Sequence, residues 1–239
     1  MAINVISADM HLRSSASMNL FSTGPFSITC WINANWNTST TLSLIGIYGP
    51  ATDTPLAQPV TAVQLGSRTG NGELSAWTWG GRQLVQTSNG VMTSLSNKWI
   101  AIAYTFDGTT HRLYAQGVLV AADVAIPTAG FLNQVYINGY PTATTPETGT
   151  FQIDKYVLFR RTLTPDEIQT IFVSGGGRHG INNGVVCQYE FDELAQGGNV
   201  TSVVDLSGNG NTLTPVGSAS PMTYNYVNTY ADSNIRPVQ

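Results

Sequence analysis

The acid-rich run Glu190-Phe191-Asp192-Glu193 is the densest group of reactive side chains in this chain. Cleaving a glycosidic bond needs two carboxylates placed on either side of it. Side chains on a strand alternate between faces, so Glu190 and Asp192 share one face and Glu193 points to the other. The remaining acids, among them Asp9, Asp53, Glu73, Asp107, Asp123, Glu147 and Asp154, are scattered singly. His11, His111 and His179 lie far apart, and no serine sits in a nucleophile elbow. His111 reads as a solvated residue beside a turn. The expectation is that the protein is not an enzyme.

Two other groups suit binding. In DLSGNGN, Asp205, Asn209 and Asn211 put side-chain oxygens at short spacing in a glycine loop, which suits a hard cation such as calcium. The same residues suit an Asx-type turn into the next strand, and a single carboxylate is few for calcium. Trp77 and Trp79 stand two residues apart on one strand face, beside Gly80-Gly81. Such a pair could stack on sugar rings, as could Trp36 in the loop NANWNTS; packing in the core is the other reading. Trp31 and Trp99 lie mid-strand and read as packing residues.

These groups need a rigid frame, and the chain is long enough to build one. Its 239 residues can bury a sizeable core. Only 10% are charged, against a usual figure of about 25%, and Gly, Ser, Thr and Asn fill the gap. That pattern reads as many strands joined by polar turns under a neutral, amide-rich surface. A net charge of −4 leaves no basic footprint for nucleic acid. No run of about 18 apolar residues is present, so no membrane insertion is expected. The start MAINVISADMHLRSS has no signal-peptide pattern. Cys30 and Cys187 stand without a CxxC and read as two buried thiols.

FSITCWINA alternates, with Phe26, Ile28, Cys30 and Ile32 on one face. TTLSLIGIYG is read the same way, with Leu42, Leu44 and Gly46 together. KWIAIAYTFDGTTHRLYAQGVLVAA predicts a strand, a turn begun by Asp107-Gly108, and two further strands. FLNQVYINGY and FQIDKYVLFRR add more. One helix is predicted: Thr164 as N-cap, Pro165 at the first position and Glu167 completing a capping box, with Ile168, Ile171 and Phe172 forming a short apolar face.

FSITCWI, the WIAIAYTFDG hairpin ending in YAQGVLV, and FQIDKYVLFRRTLTPDEI occur in this order. Together they resemble a laminin-G-like jelly roll of the concanavalin A-like lectin/glucanase superfamily, over most of residues 20 to 173. The resemblance implies an all-β fold: a two-sheet antiparallel jelly-roll sandwich with one short helix. It also sharpens two readings. Retaining glucanases of that superfamily carry E-x-D-x-x-E or E-x-D-x-E on the catalytic strand, and Glu190-Phe191-Asp192-Glu193 departs from both. Members also often carry calcium near the ligand rim, which keeps the loop at Asp205, Asn209 and Asn211 open as a calcium site.

In typical members the segment resembling YEFDE…DLSGNGNTLT precedes the F-x-I-x-x-W strand; in this chain it follows. The expected organisation is therefore one circularly permuted domain over residues 1–220, with the family-opening strands at 184–214 and an extended C-terminal arm over 221–239. A strand swapped into a neighbouring subunit is the alternative. Tyr224, Tyr226 and Tyr230 in the arm are expected to serve assembly. The expected function is a non-catalytic phage virion surface component, assembled in the host cytoplasm as a homo-oligomer beside other virion proteins, with cell-surface glycans as further partners. The alternative is a free-standing lectin.

Overall fold

The computed structural model describes residues 2–5, 11–15, 18, 20–37, 41–49, 62–78, 82–124, 131–138, 150–175, 180–192, 199–216 and 223–225. In chain order its strands are β1 (Ala2–Val5), β2 (His11–Ser14), β3 (Leu20–Phe21), β4 (Phe26–Ala34), β5 (Leu42–Tyr48), β6 (Ala62–Ser67), β7 (Ser75–Trp77), β8 (Gln83–Gln86) and β9 (Trp99–Phe106). There follow β10 (His111–Ala115), β11 (Val118–Asp123), β12 (Phe131–Leu132), β13 (Gln134–Ile137), β14 (Phe151–Phe159), helix α1 (Pro165–Val173), β15 (Val185–Tyr189), β16 (Leu213–Val216) and β17 (Thr223–Asn225).

Two antiparallel sheets form the sandwich, so the expected all-β jelly roll is the observed one. The first sheet runs β11-β10-β9-β4-β14-β1-β17, with β15 also paired to β14. The second runs β16-β2-β13-β5-β6-β7-β8, and β3 pairs with β12 apart from both. Alternation places Phe26, Ile28, Cys30 and Ile32 of β4 and Ile100, Ile102, Tyr104 and Phe106 of β9 in the core between the sheets. They meet Leu44, Ile45, Ile47, Val63, Leu65, Val135 and Ile137 from the second sheet.

Bulges in β5 and β14 each move one extra residue past its partner and break the alternation. In β5 the register shifts between Ser43 and Ile45, so Leu44, Ile45 and Ile47 all reach the core. Gly46 is therefore not on the inner face with Leu44. A Cβ there would meet the Tyr48 ring, which packs edge-on against Tyr136. In β14 the shift falls between Asp154 and Val157, with Lys155 in the left-handed region at φ 51°. Phe151 and Ile153 point inward before it, Tyr156 and Leu158 after it.

That second bulge also divides the partners of one edge. Ahead of it β14 pairs with β1, Ile3 facing Ile153; beyond it β14 pairs with β15, Tyr189 facing Tyr156 and Cys187 facing Leu158. Cys187, Tyr189 and Phe191 are buried in the main core, while Val185 is half-buried against the helix cluster. In the second sheet β16 pairs with β2, and in the first β17 pairs with β1. The late segments thus pair with early strands of the same chain in both sheets.

Helix α1 begins as predicted. Glu167 N–H donates to Thr164 Oγ1 at 3.2 Å, and Thr164 N–H donates to Glu167 Oε2 at 2.9 Å. Arg161 adds a bidentate pair to Glu167, at 2.8 and 2.6 Å. The helix lies on the outer face of the first sheet, where Ile168 and Ile171 pack on Ala103, Tyr114, Val157 and Phe159. Burying each isoleucine contributes about 2 kcal/mol. Phe172 stacks on Trp31 at 6.2 Å, so Trp31 and Trp99 pack under the helix. Both thiols are free and buried, as expected.

Candidate functional site

A cleft of about 410 Å³ opens where the end of β14 meets the start of β15. Met18, Arg160, Gly184, Val185, Val186, Asn209 and Asn211 line it. Arg160 follows β14 directly. Its backbone N–H donates to Gly184 O, and its Nη2 donates to Met18 O, both at 2.6 Å. These bonds hold the guanidinium at the cleft while most of its five donors stay uncommitted among the described residues. Gly184 turns the chain into β15 at φ 81°.

The far wall is the loop 205–211. Asp205 is 7% exposed, and its Oδ1 accepts the N–H groups of Gln188 at 3.0 Å and Ser207 at 2.9 Å. Its Oδ2 accepts the N–H of Asn211 at 2.9 Å. Asn209 Nδ2 donates to Val185 O and Val186 O at 3.1 and 3.0 Å, and Asn211 Nδ2 donates to Val186 O at 2.9 Å. Leu206 N–H completes the set on Gln188 O at 2.9 Å. β15 has β14 on one edge only; the loop satisfies the backbone groups of the other edge. Gly208 and Gly210, both at positive φ, allow the tight path.

This arrangement decides how the loop is read. A calcium ion wants six to eight oxygen ligands. The one carboxylate here already accepts three backbone N–H groups, and both asparagine amides are turned toward β15. The donor set does not fit calcium, so the calcium expectation for Asp205, Asn209 and Asn211 is corrected to a structural turn. What the loop does offer is the exposed side of Asn209, facing the cleft opposite Arg160.

The tryptophan expectation is corrected for Trp36 and Trp77. Trp36 is 0% exposed and packs in the main core. Trp77 lies on the opposite face from the inward Ala76, yet is only 1% exposed. Neither ring presents a face to a sugar. Trp79, His179, Glu193, Tyr226 and Tyr230 lie outside the described residues. Tyr224 sits in β17, its backbone in register with Ile3 of the same chain. His111 is not a solvated turn residue: it is fully buried, with Nδ1 2.7 Å from Tyr104 Oη and its ring stacked 4.2 Å from Phe106.

The acids gather around the β14 bulge. Lys155 Nζ donates to Glu190 Oε2 at 2.9 Å, and Gln188 Nε2 donates to Glu190 Oε1 at 2.6 Å. Asp154 is 1% exposed, and its Oδ2 has no hydrogen-bond partner among the described residues. Burial raises its pKa to about 8, with Asp192 and Glu190 adding to the rise and Lys155 opposing it. Sequence reasoning passed over Asp154 and Arg160. An acid in the middle of the apolar FQIDKYVLF was a signal for the first; the second stands in a doublet with Arg161, whose cap role only the folded helix reveals.

The sequence profile of the concanavalin A-like lectin/glucanases superfamily matches residues 8–169. The chain belongs to this superfamily. Its fold is similar to that of a Bacteroides ovatus protein described as carbohydrate-binding, with TM-score 0.63, 14% identity and coverage of 92% of this chain and 60% of that one. The superfamily member thus spans 60% of that protein's length. A heptameric SAP-like pentraxin from Limulus polyphemus is similar at TM-score 0.51 and 10% identity, over 73% of this chain and 87% of that one. Trypanosoma rangeli sialidase matches at TM-score 0.49 and 15% identity, over 64% of this chain and only 23% of the enzyme. No curated protein matches in sequence. At these identities the similarity is one of fold.

Proposed function

We propose that this chain is a non-catalytic glycan-binding module that takes a short saccharide in the cleft beside β15. The cleft itself carries the reading. Its volume falls in the range of small-ligand sites, and Arg160 and Asn209 present donors and acceptors of the kind that match sugar hydroxyls. The similarity to a protein described as carbohydrate-binding supports the same reading. Among the described residues no aromatic ring lines the cleft, so each contact is weak and useful binding depends on repetition.

Binding without hydrolysis is supported by the state of the acids. Both Glu190 oxygens are held by Lys155 and Gln188, and Asp154 is closed off from solvent. The setting we propose is display on a virion surface, supported by the sparsely charged composition; none of the similar proteins named above is a virion protein. Screening the protein on an array of neutral and acidic oligosaccharides, then titrating the hits calorimetrically, tests the binding. A wild-type protein that takes no glycan overturns it.

A further inference from the structure

Resting on the reading of the cleft beside β15 as a saccharide site, we propose that it selects saccharides bearing a carboxylate, which Arg160 holds while Asn209 takes hydroxyls of the same ligand. Among the described residues Arg160 is the only charged side chain lining the cleft. Other cations of this sheet already have acids: Arg112 pairs with Asp107 at 2.6 Å, Lys155 with Glu190 at 2.9 Å and Arg161 with Glu167 at 2.6 Å. No carboxylate among the described residues pairs with Arg160, whose side chain holds the Met18 carbonyl instead.

The bond to Met18 O occupies one of the five N–H donors and fixes the guanidinium by one arm. The group is planar, so its remaining donors form a fork that matches the two oxygens of a carboxylate. A single sugar hydroxyl fills one arm of such a fork; a carboxylate fills two. Arg160 is exposed, so a ligand reaches it without any rearrangement of the sheet.

The opposite wall has the reverse polarity. Asn209 Nδ2 carries two hydrogens, and Val185 O and Val186 O take them at 3.1 and 3.0 Å. Only the NH₂ end of an amide can donate to carbonyls, so these bonds fix which way the side chain points and leave Oδ1 as the atom Asn209 offers to a ligand. Such an acceptor takes sugar hydroxyls and disfavours a carboxylate. A saccharide with an acid at one end and hydroxyls at the other therefore fits in one orientation, its acid toward Arg160.

Calorimetric titration of the full chain with sialyllactose beside lactose, and with a galacturonic acid trisaccharide beside its carboxyl-reduced neutral form, tests this. In at least one pair the acidic member should bind about tenfold tighter at low salt, because charge-assisted hydrogen bonds are roughly twice as strong as neutral ones. The advantage should shrink in about 1 M salt, where the screening length falls to about 3 Å. Arg160→Gln should bring the acid-to-neutral affinity ratio close to one, and Arg160→Lys should keep part of it, since the charge remains but the fork is lost. A wild type that binds both members of each pair equally overturns the selectivity and leaves a neutral saccharide in the cleft. An acid advantage that survives in Arg160→Gln, or a sulfated form of the neutral trisaccharide preferred over the galacturonate, overturns it too. A wild type that takes no glycan of either kind removes the saccharide site along with its selectivity.

Discussion

The Asp205 carboxylate reaches the backbone N–H of Gln188 at 3.0 Å, tying a glycine loop to the free edge of β15. The same side chain holds the N–H groups of Ser207 and Asn211. Replacing it with alanine strands three donors beside the core. Asp205→Ala should cost about 3 kcal/mol in urea unfolding, since bonds to a charged acceptor are strong and buried orphans are costly. Calcium or a chelator should leave the wild-type midpoint where it is. A rise in the midpoint with calcium would show that the loop binds the ion after all.

Asp154 gives a pH signature. Desolvation lifts its pKa to about 8, above the ordinary carboxylate value of about 4. At neutral pH the folded state therefore holds a proton that the unfolded chain has already released. Its stabilising share is complete below about pH 4 and is lost as pH rises through about 8. Wild-type unfolding midpoints should fall between those limits, and Asp154→Asn should flatten the fall. Equal slopes in the two proteins would place the titration elsewhere.

The Arg161–Glu167 pair behaves in the opposite sense. The Arg161 guanidinium holds the Glu167 carboxyl down to about 2. A depressed carboxylate stabilises above its ordinary range and loses that effect as pH falls toward about 2. Glu167→Gln keeps a capping-box side chain but drops the ion pair. Because the pair is partly exposed and screened, the cost at neutral pH should be below about 1 kcal/mol and should vanish in acid. Thermal melts across pH read this directly.

For the cleft, Arg160→Ala and Asn209→Ala should each weaken glycan binding by about tenfold, the worth of one or two lost hydrogen bonds. Trp36→Phe should leave affinity unchanged while lowering stability, because the ring is interior. Calorimetry beside melting curves separates the two effects. Undiminished affinity in both cleft variants would move the site away from β15.

Much of the frame could be read from residues alone. Alternation in FSITCWINA and WIAIAYTF set the core faces of β4 and β9, because a strand has only two faces. Thr164, Pro165 and Glu167 announced the start of α1, because a cap bonds within a few residues of itself. The order of motifs pointed to the superfamily. What the residues could not show was anything that depends on a distant partner. The bulges in β5 and β14 break alternation without a local mark. Whether Trp36 and Trp77 meet solvent depends on what packs over them, and His111 is buried because Tyr104 and Phe106 enclose it. Asp205, Asn209 and Asn211 carry oxygens that suit an ion or a turn equally well in sequence. The edge of β15 decides between them, because its unpaired backbone groups take those side chains first. The tertiary structure alone brings Arg160 and Asn209 to the same cleft, from positions far apart in the sequence.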